Sequence, residues 1–551
     1  MQSSLKERLH VLARHLGSSA SYATPPLQQN ACEAQPGDGK IISAGAAAAL
    51  VKDNAIITVS GFVGSVHPEY VVDAVRERFD RTQHPSNLHL YIVAAVGDGK
   101  GRGLGKLAAA GLVTKYTYAW SGLSPEFIKL AKAGHLEAWN LPLGAMTHIY
   151  RDVAAGRAGP VTKVGLGTFV DPREGGGKVN GPHQADAVEL VTLGGEQYLW
   201  YKAPKKIDVA ILRATTADVD GNVTLEKEAM VLDCQNQAMA AHNSGGIVIV
   251  QVERVVASGS LPARQVHLPS AIVDKIVVAP PDKHRQVISS PLHDASLSAE
   301  IRVPPSHIQP MPLDERRIIG HRAMLEITQP NQLINLGVGM PEGVARLVAT
   351  HGRRCIPGSF PIHLSTEAGM FGGFPAGGAS FGAAHNAECM VPCATMLDFY
   401  NGGGVDLTCL GAAEVDAEGN VNVHSFPGRQ PGCGGFIDIS QAAKKVIFAG
   451  TFTAGGLKVR VSGGMLEILQ EGRSSKFKAQ VAGKTFAASS AKGREILYVT
   501  ERAVFRLQEG EGLELIEIAP GMDLERDILA RMPVRPLMRS IKQMPVQCFQ
   551  P

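Results

Sequence analysis

The stretch that could most clearly do chemistry runs from His363 to Gly378 and holds a single carboxylate, Glu367, among many glycines. Glycine lets backbone N–H groups come close to a ligand, because no Cβ stands in the way. A carboxylate in such a setting can act as a covalent nucleophile toward an acyl group. The same pattern also fits a glycine-rich surface loop that happens to contain a glutamate. On this stretch alone, both interpretations stay open.

The composition is typical of a globular protein built from several domains. The chain has 551 residues, of which 44% are hydrophobic and 19% charged, and such a length predicts roughly three to four domain-sized units. The formal net charge is +3, so no basic footprint indicates a nucleic-acid partner. No apolar run approaches the roughly 20 residues that a membrane span needs, and we expect no membrane partner.

The cysteines are scattered along the chain and form no CxxC pair. In a chain of this length, that distribution favours reduced thiols over a disulfide framework or a zinc site. Cys389 and Cys393 are four residues apart, but no cluster of Cys or His completes a metal set. We therefore predict no metal site.

Residues 1–38 differ in composition from the rest of the chain. Leucines recur at helical spacing there, with basic residues beside them and serines after them: Leu5, Leu9, Leu12, Leu16, Lys6, Arg8, Arg14, Ser18, Ser19 and Ser21. An amphipathic, basic, Ser-rich and acid-poor start is typical of a mitochondrial transit peptide. We predict a mitochondrial protein on this basis. The alternative is a disordered bacterial extension on a cytoplasmic protein.

From Lys40 onward, strand-like and helix-like segments alternate, which predicts an α/β fold with a largely parallel sheet. Strands are expected at 55–59, 88–93, 188–193, 209–212, 247–252 and 333–336, and helices at 46–51, 70–79 and 314–327. Prolines and serines concentrate between about residues 280 and 312, as in a linker. We predict an N-terminal domain at 39–285, a linker at 286–313 and a C-terminal domain at 314–551.

The second half of the chain repeats the first. Residues 207–223 align without gaps on residues 405–421, with seven identical pairs: Asp208/Asp406, Leu212/Leu410, Ala214/Ala412, Asp218/Asp416, Gly221/Gly419, Asn222/Asn420 and Val223/Val421. The turn from Gly64 to Glu69 corresponds in the same way to the turn from Gly337 to Glu342. Two related α/β domains should face each other, and a cleft between them is the expected ligand site.

These segments together resemble the family I CoA-transferases, the group of the 3-oxoacid and acetate/propionate CoA-transferases. The resemblance extends from about residue 40 to 545. It is carried by eight segments in a fixed order: 60–64 with Pro68 and Glu69, 139–142, 216–222, 335–343, 366–369, 402–407, 432–440 and 498–505. The two halves look like the α and β subunits of heteromeric members fused into one chain.

The resemblance implies two tandem open α/β domains of the NagB/RpiA-like type, with the active site in the cleft between them. It implies CoA transfer between a short-chain acyl-CoA and a free carboxylic acid (acetate, propionate, butyrate or a 3-oxoacid), by ping-pong catalysis through a glutamyl-CoA thioester. Coenzyme A is then a substrate, and no cofactor is held permanently. Members are usually homodimers or homotetramers, and a role in short-chain fatty acid or ketone body metabolism follows.

The resemblance also assigns roles to residues. Glu367 matches the catalytic glutamate, and Gly435 matches the glycine whose backbone N–H helps to form the oxyanion hole. The turn Gly337, Val338, Gly339, Met340 and Pro341 matches the loop that lines the CoA site. Gly61, Phe62, Val63, Gly64 and Leu143 would lie at the substrate pocket.

Two positions depart from the family pattern. Leu143 stands where members often carry a glutamine that contacts the acid, and Ala95 lies near the place of an asparagine that assists the oxyanion in the 3-oxoacid enzymes. Both changes remove an amide and favour a less polar acyl pocket. We therefore expect short-chain monocarboxylates, rather than succinate, as acceptors.

Three alternatives remain at this stage. An acyl-CoA hydrolase would use the same glutamate, with water taking the acyl group. A non-catalytic acyl-CoA sensor would share the fold without the reaction. An NAD-dependent dehydrogenase is disfavoured, because the glycine-rich segments at 99–103 and 432–435 do not form the G-x-G-x-x-G turn with a following acid.

Overall fold

The computed structural model describes residues 39–181, 184–304, 306, 308–351 and 359–550. The predicted transit peptide or disordered extension at 1–38 lies outside these residues. Lys40–Pro551 forms one structural unit.

A seven-stranded, wholly parallel sheet is the centre of the first half. Its strands are β1 (Ile56–Val59), β2 (Leu88–Ala94), β3 (Val113–Trp120), β4 (Glu137–Asn140), β5 (Val209–Arg213), β6 (Ile247–Val252) and β7 (Lys275–Val278). Their order across the sheet is β7-β6-β5-β1-β2-β3-β4. The helices of this half are α1 (Ala44–Leu50), α2 (Glu69–Thr82), α3 (Glu126–Lys132), α4 (Leu143–Ala154) and α5 (Cys234–Asn243).

A ten-stranded sheet is the centre of the second half. Its strands are β8 (Leu333–Leu336), β9 (His363–Thr366), β10 (Met370–Phe371), β11 (Cys389–Met390), β12 (Leu407–Gly411), β13 (Lys445–Ala449), β14 (Glu495–Val499), β15 (Ala503–Gln508), β16 (Gly512–Ile518) and β17 (Lys542–Gln543). Their order is β11-β10-β9-β8-β12-β13-β14-β15-β16-β17. The helices are α6 (Glu315–Met324), α7 (Glu342–His351), α8 (Cys393–Phe399) and α9 (Phe436–Ala442).

The two sheets confirm the internal repeat. In the first half, β1 lies between β2 and β5. In the second half, β8 lies between β9 and β12 in the same way. Strands β5 and β12 belong to the aligned segments 207–223 and 405–421. The aspartate that precedes that strand makes the same bond in both halves: Asp208 accepts a hydrogen bond from Ile56 N and Asp406 accepts one from Leu333 N, both at 2.8 Å. The shared aspartates therefore fasten neighbouring strands to each other.

Alternation of side chains along the strands places the cores on both faces of the sheets. In β5, Val209 and Ile211 join a core with helices α1, α2 and α3, whereas Ala210 and Leu212 point into a second core. That second core includes α4, α5, α8 and α9 from both halves. A third core contains α6 and α7. Helices from the two halves thus pack together between the sheets, which builds the centre of the molecule from both repeats.

Shorter strands form the outer parts of the unit. They lie at Val161–Thr162, Val188–Leu193, Glu196–Tyr201, Thr216–Asp218, Val223–Thr224, Arg254–Val256, Val266–Leu268, Phe374–Pro375, Ala384–His385, Glu414–Asp416, Val421–Asn422, Thr453–Ala454, Lys458–Ser462, Met465–Gln470, Ser474–Ser475 and Phe477–Lys478. The strand predicted at 188–193 exists, but it pairs antiparallel with Glu196–Tyr201 outside the parallel sheet. Its partly exposed side chains and the Gly194-Gly195 turn explain this hairpin.

The segment predicted as a linker contacts both halves. Val287 and Leu297 are buried within it. Ile288 N donates to Gly64 O at 2.8 Å in the first half, and Ser296 Oγ lies 2.7 Å from His385 Nδ1 in the second. The domain boundaries themselves stay predictions. Within the described ranges, no helix is both long and apolar enough to cross a membrane.

Candidate active site

Glu367 occupies the tight turn between β9 and β10. The turn closes through a hydrogen bond from Gly369 N to Thr366 O at 3.1 Å. Gly369 has a φ of +111°, and a Cβ there would lie 2.0 Å from Val391 O, so only glycine fits. The glycine after the carboxylate is thus a geometric requirement of the turn.

The carboxylate of Glu367 is buried, with only 7% of the residue exposed. Its Oε2 atom has no hydrogen-bond partner among the residues that the structure describes. Burial raises the pKa of this carboxyl to about 7, and the nearby Asp438 charge acts in the same direction. A hydrogen bond from the Asn335 side chain and one from the residue's own N–H lower the pKa and offset part of that rise. One carboxylate oxygen is therefore left free in a poorly solvated site.

Asn335, at the end of β8, belongs to a buried polar network beneath Glu367. Its Oδ1 accepts from Thr408 Oγ1 at 2.9 Å, and its Nδ2 donates to the Tyr400 hydroxyl at 3.3 Å. Tyr400 in turn bonds to Ser365 Oγ at 2.7 Å. These bonds fix the amide that supports the Glu367 carboxylate.

Gly435 lies beside Glu367. A Cβ at position 435 would lie 3.3 Å from Glu367 Cγ. Gly435 is buried and immediately precedes α9, with an ordinary φ of −83°. No residue in the described part of the chain accepts a hydrogen bond from its N–H. The absence of a side chain therefore allows a buried, unpaired donor to approach the carboxylate.

Glu367 and Gly435 line one cavity of about 380 Å³. The first half contributes only apolar and aromatic side chains to its wall: Phe62, Val63, Ala94, Trp120 and Leu143. The second half contributes the glycine-rich turns and other small or apolar residues: Gly337, Val338, Met340, Phe381, Leu410, Gly411, Ala412, Ala413, Val423, Phe426, Pro431, Gly432, Cys433, Gly434, Phe436, Ile439, Ala449 and Gly450.

Two cations, Arg429 and Lys476, also line the cavity, and both belong to the second half. Lys476 is buried and donates to the carbonyl oxygen of Ala412. Burial lowers the pKa of its amine to about 8. Arg429 is exposed. The cavity thus has one uncharged apolar wall and one wall that can bind negative charge.

The structure brings most of the predicted site residues to this cavity. Glu367, Gly435, Gly337, Val338, Met340, Phe62, Val63 and Leu143 line it. Gly339 and Pro341 lie in the same turn as Val338, and Gly339 N donates to Glu342 Oε1 at 2.9 Å.

Gly61 and Gly64 do not line the cavity. A Cβ at Gly61 would lie 2.4 Å from a Val96 methyl, and one at Gly64 would lie 2.3 Å from Ala379 O. These two glycines permit close packing of their turn, and Gly64 does so against the second half.

Sequence reasoning missed Asn335, Asp438, Lys476 and Asn140 as parts of the site. Asn335, Asp438 and Asn140 lie inside motifs that carried the resemblance, but a motif does not show which side chains turn inward. Lys476 lies in the stretch Ser474–Lys478, which has no recognisable pattern. Within the described residues, no group of three or more His, Cys, Asp or Glu is arranged to hold a metal ion.

The chain is similar to known proteins over most of its length. A family model described as coenzyme A transferase matches residues 41–279. The caffeate CoA-transferase of Acetobacterium woodii is 42% identical over 513 residues, which cover 92% of this chain and 96% of that protein. The chain belongs to the CoA-transferase family. It is accordingly an enzyme that uses coenzyme A as a substrate, with no permanent cofactor.

A second relative extends the match to solved structures of CoA-transferases. The acetate CoA-transferase YdiF of Escherichia coli K12 is 39% identical over 501 residues, which cover 90% of this chain and 92% of that one. The acyl-CoA transferase YdiF of Escherichia coli O157:H7, solved as a thioester complex with CoA, superposes with a TM-score of 0.86 at 37% identity. The match covers 93% of this chain and 96% of that one, and it confirms the tandem α/β fold.

These relatives bear on the predicted location as well. The curated relatives at about 40% identity are bacterial. A mitochondrial relative, succinyl-CoA:3-ketoacid coenzyme A transferase 2B of Mus musculus, is 24% identical over 519 residues. The predicted mitochondrial location and the link to ketone body metabolism thus find support only in distant relatives.

Proposed function

We propose that this CoA-transferase works by ping-pong catalysis through a thioester between Glu367 and CoA. The observation that carries the proposal is the buried Glu367 carboxylate, whose Oε2 is unpaired among the described residues and whose side chain lies beside Gly435 in a cavity of about 380 Å³. A desolvated carboxylate is a stronger nucleophile than one in water, because no hydration shell must be removed. The relative solved as a thioester complex with CoA supports the same assignment.

The reaction begins when Glu367 Oε2 attacks the thioester carbonyl of an acyl-CoA. The C–S bond breaks, CoA leaves as its thiolate, and an acyl-glutamyl anhydride remains. The thiolate then attacks the glutamyl carbonyl carbon, and the first acid leaves as a carboxylate that carries one glutamate oxygen. The resulting glutamyl-CoA thioester reacts with a second carboxylate by the reverse steps, which releases the new acyl-CoA and restores the glutamate.

Each of these steps passes through a tetrahedral oxyanion. The Gly435 N–H is the donor proposed to stabilise it, and removal of one such donor costs about 3–4 kcal/mol in well-studied enzymes. The turn from Gly337 to Pro341 is proposed to border the bound CoA. Arg429 and Lys476, on the same wall, offer positive charge to an anionic ligand such as CoA.

The acceptor is proposed to be a monocarboxylate. The first-half wall of the cavity presents no charged side chain. A second carboxylate buried against Leu143 and Val63 would lack a partner, which is costly in an apolar environment. Acetate, propionate and butyrate fit this wall. The acetate and caffeate CoA-transferases among the relatives also act on monocarboxylic acids according to their names.

A comparison of acyl exchange and hydrolysis tests the proposal. Wild-type protein should convert propionyl-CoA to acetyl-CoA only when acetate is added, with parallel double-reciprocal plots for the two substrates. Glu367→Gln should abolish this exchange, whereas Glu77→Gln, an exposed glutamate in α2, should leave it unchanged. Loss of acyl-CoA at the same rate without acetate would favour the acyl-CoA hydrolase instead.

Two further expectations belong to this proposal. The bacterial relatives at about 40% identity support a cytoplasmic enzyme of short-chain acid metabolism over a mitochondrial one. A homodimer or homotetramer is the proposed assembly, and light scattering coupled to size-exclusion chromatography tests it.

A further inference from the structure

The loop that carries Gly435 belongs to the second half but is bonded to the first. Pro431 O accepts from Ser121 N at 2.7 Å, and Gly434 N donates to Ala119 O at 2.9 Å. Gly434 O accepts from Leu143 N at 2.9 Å. The backbone just before Gly435 is thus held by the end of β3, by the residue after it and by the first residue of α4.

Asn140 is the side chain at the centre of this contact. It is buried, and its Nδ2 donates to Tyr118 O at 3.0 Å and to Ala119 O at 2.8 Å. Its Oδ1 accepts from Cys433 N at 3.0 Å. Every polar atom of the amide is therefore used, and the amide joins the end of β3 to the loop two residues before Gly435.

Asp438 makes a second bond between the halves, three residues after Gly435. Its Oδ2 accepts from Gly144 N, in the first turn of α4, at 3.0 Å. Asp438 is fully buried, and Asn401 Nδ2 lies 3.4 Å from its Oδ1. The carboxylate therefore caps a helix of the opposite half.

The repeat contains a second copy of this arrangement, with one difference. In the copy, Leu232 O accepts from Cys393 N at 3.3 Å and Asp233 Oδ1 accepts from Ala394 N at 3.1 Å. Leu232 has a φ of +53°, and Gly434 has a φ of +54°. Asp233 precedes α5 as Gly435 precedes α9.

In the second copy, the capping aspartate is Asp233, at the position that corresponds to Gly435 in the active site. At 435 a side chain would press against Glu367, so the capping carboxylate is supplied from position 438 instead. Both copies therefore keep a hydrogen bond from a helix N–H of one half to an aspartate of the other. Only the residue next to Glu367 has no side chain. The hydrogen bond from Gly144 N to Asp438 thus joins the two halves without a side chain at Gly435.

We propose that Asn140 and Asp438 are positioning residues, which fix the loop from Pro431 to Gly435 so that the Gly435 N–H faces the reacting carbonyl group. The proposal rests on the proposed role of Glu367 and Gly435. Neither residue needs to touch the substrate. Their effect is on the formation of the oxyanion, and so on the rate of the chemical step rather than on the binding of acyl-CoA.

The test measures formation of the glutamyl-CoA thioester in a single turnover, with acyl-CoA affinity measured in parallel. Asn140→Ala should lower the rate at saturating propionyl-CoA about 100-fold, in the range found for loss of an oxyanion donor, with affinity changed less than about threefold. Asn180→Ala is the matched control. The Asn180 side chain also bonds to two backbone groups, Ala138 N and Ala131 O, and neither group belongs to the loop from Pro431 to Gly435.

A pair of variants at Asp438 distinguishes an effect on the position of the Gly435 loop from an effect on the stability of the fold. Asp438→Ala removes the acceptor for Gly144 N and should lower the rate about 100-fold. Asp438→Asn keeps an oxygen acceptor of the same shape and should restore most of the rate. This pair tests the proposal even if Asn140→Ala does not fold. Recovery of the rate in Asp438→Asn would show that the hydrogen bond from Gly144 N is needed and that the negative charge is not.

The outcomes separate the two proposals. If wild-type protein forms no thioester on Glu367, the proposed function fails. If wild-type protein forms it and the Asn140 and Asp438→Ala variants do so at rates within about threefold of wild type, only the positioning proposal fails. A loss confined to acyl-CoA affinity, or an equal loss in Asn180→Ala, would also overturn it.

Discussion

Gly435 lies so close to Glu367 that a methyl group on its Cα would stand 3.3 Å from Glu367 Cγ. Ile439 Cδ1 lies at the same distance on another side. The two residues come from loops about 70 positions apart in the chain. This closeness of the Gly435 backbone to the Glu367 side chain is the basis of the first prediction.

Gly435→Ala should slow thioester formation about 100-fold. The φ of −83° suits alanine, so the loss would come from the contact of the new methyl group with Glu367 rather than from backbone strain. Single-turnover mass spectrometry with propionyl-CoA measures the rate. Gly45→Ala is the control, because a Cβ there would meet nothing within 4 Å. A Gly435→Ala variant with the wild-type rate would show that a side chain at this position does not disturb Glu367, contrary to this prediction.

The rate of thioester formation should depend on pH through Glu367. Burial raises the pKa of this carboxyl to about 7, and only the carboxylate is nucleophilic. At low acyl-CoA concentration, the rate should fall about tenfold per pH unit below this value and level off above it. Rapid-quench measurements between about pH 5 and 9 test this. A rate independent of pH across that range would show that Glu367 is ionised throughout, contrary to the account.

Glu367→Gln should make the protein more stable at alkaline pH while it abolishes transfer. The pKa of the carboxyl is raised on folding from 4.5 to about 7, so its contribution to stability is fully present below pH 4.5 and is lost as pH rises through about 7. At about pH 8 the ionised side chain costs about 3 kcal/mol, at about 1.4 kcal/mol for each pKa unit. The glutamine does not bear this cost.

Thermal unfolding of both proteins across the pH range measures the effect. The difference in midpoint should be largest near pH 8 and should vanish near pH 4.5. Glu77→Gln, on the exposed face of α2, should show no such trend. A constant difference between Glu367→Gln and wild type at every pH would mean that packing, rather than ionisation, causes it.

Acceptor choice should follow the apolar wall formed by the first half. Wild-type protein should use acetate, propionate or butyrate with a kcat/KM at least about tenfold above that for succinate, because a second carboxylate would be buried without a partner. Leu143→Gln adds an amide to this wall and should narrow the ratio. Steady-state kinetics with a panel of acids measures it. Equal use of succinate by the wild-type protein would contradict the proposed pocket.

Much of the fold could be predicted from the sequence because the chain is duplicated. The identical pairs Asp208/Asp406 and Asp218/Asp416 have the same structural task in both halves. Asp218 accepts bonds from Gly221 N and Asn222 N, and Asp416 accepts one from Asn420 N. Such turns are local, so residue types alone reveal them. Strand Ile247–Val252 and strand Leu333–Leu336 were also predicted with the observed limits.

The rest of the site depends on contacts that no local pattern reveals. Asn140 and Cys433 are 293 positions apart, and nothing near either residue indicates the other. Lys476 reaches the cavity from a short strand region far from Glu367 in the chain. The hairpin at Val188–Leu193 has the composition of a strand, but its place outside the main sheet is decided by tertiary packing.

The central claim is the covalent thioester on Glu367, and reduction of that bond tests it most directly. The protein is incubated with propionyl-CoA, treated with borohydride and digested, and the peptide containing Glu367 is weighed. The account predicts conversion of the side chain to an alcohol with a loss of about 14 Da, prevented when acetate is present to discharge the intermediate. An unmodified Glu367 peptide from protein that still binds acyl-CoA would contradict the mechanism and favour a non-catalytic acyl-CoA sensor.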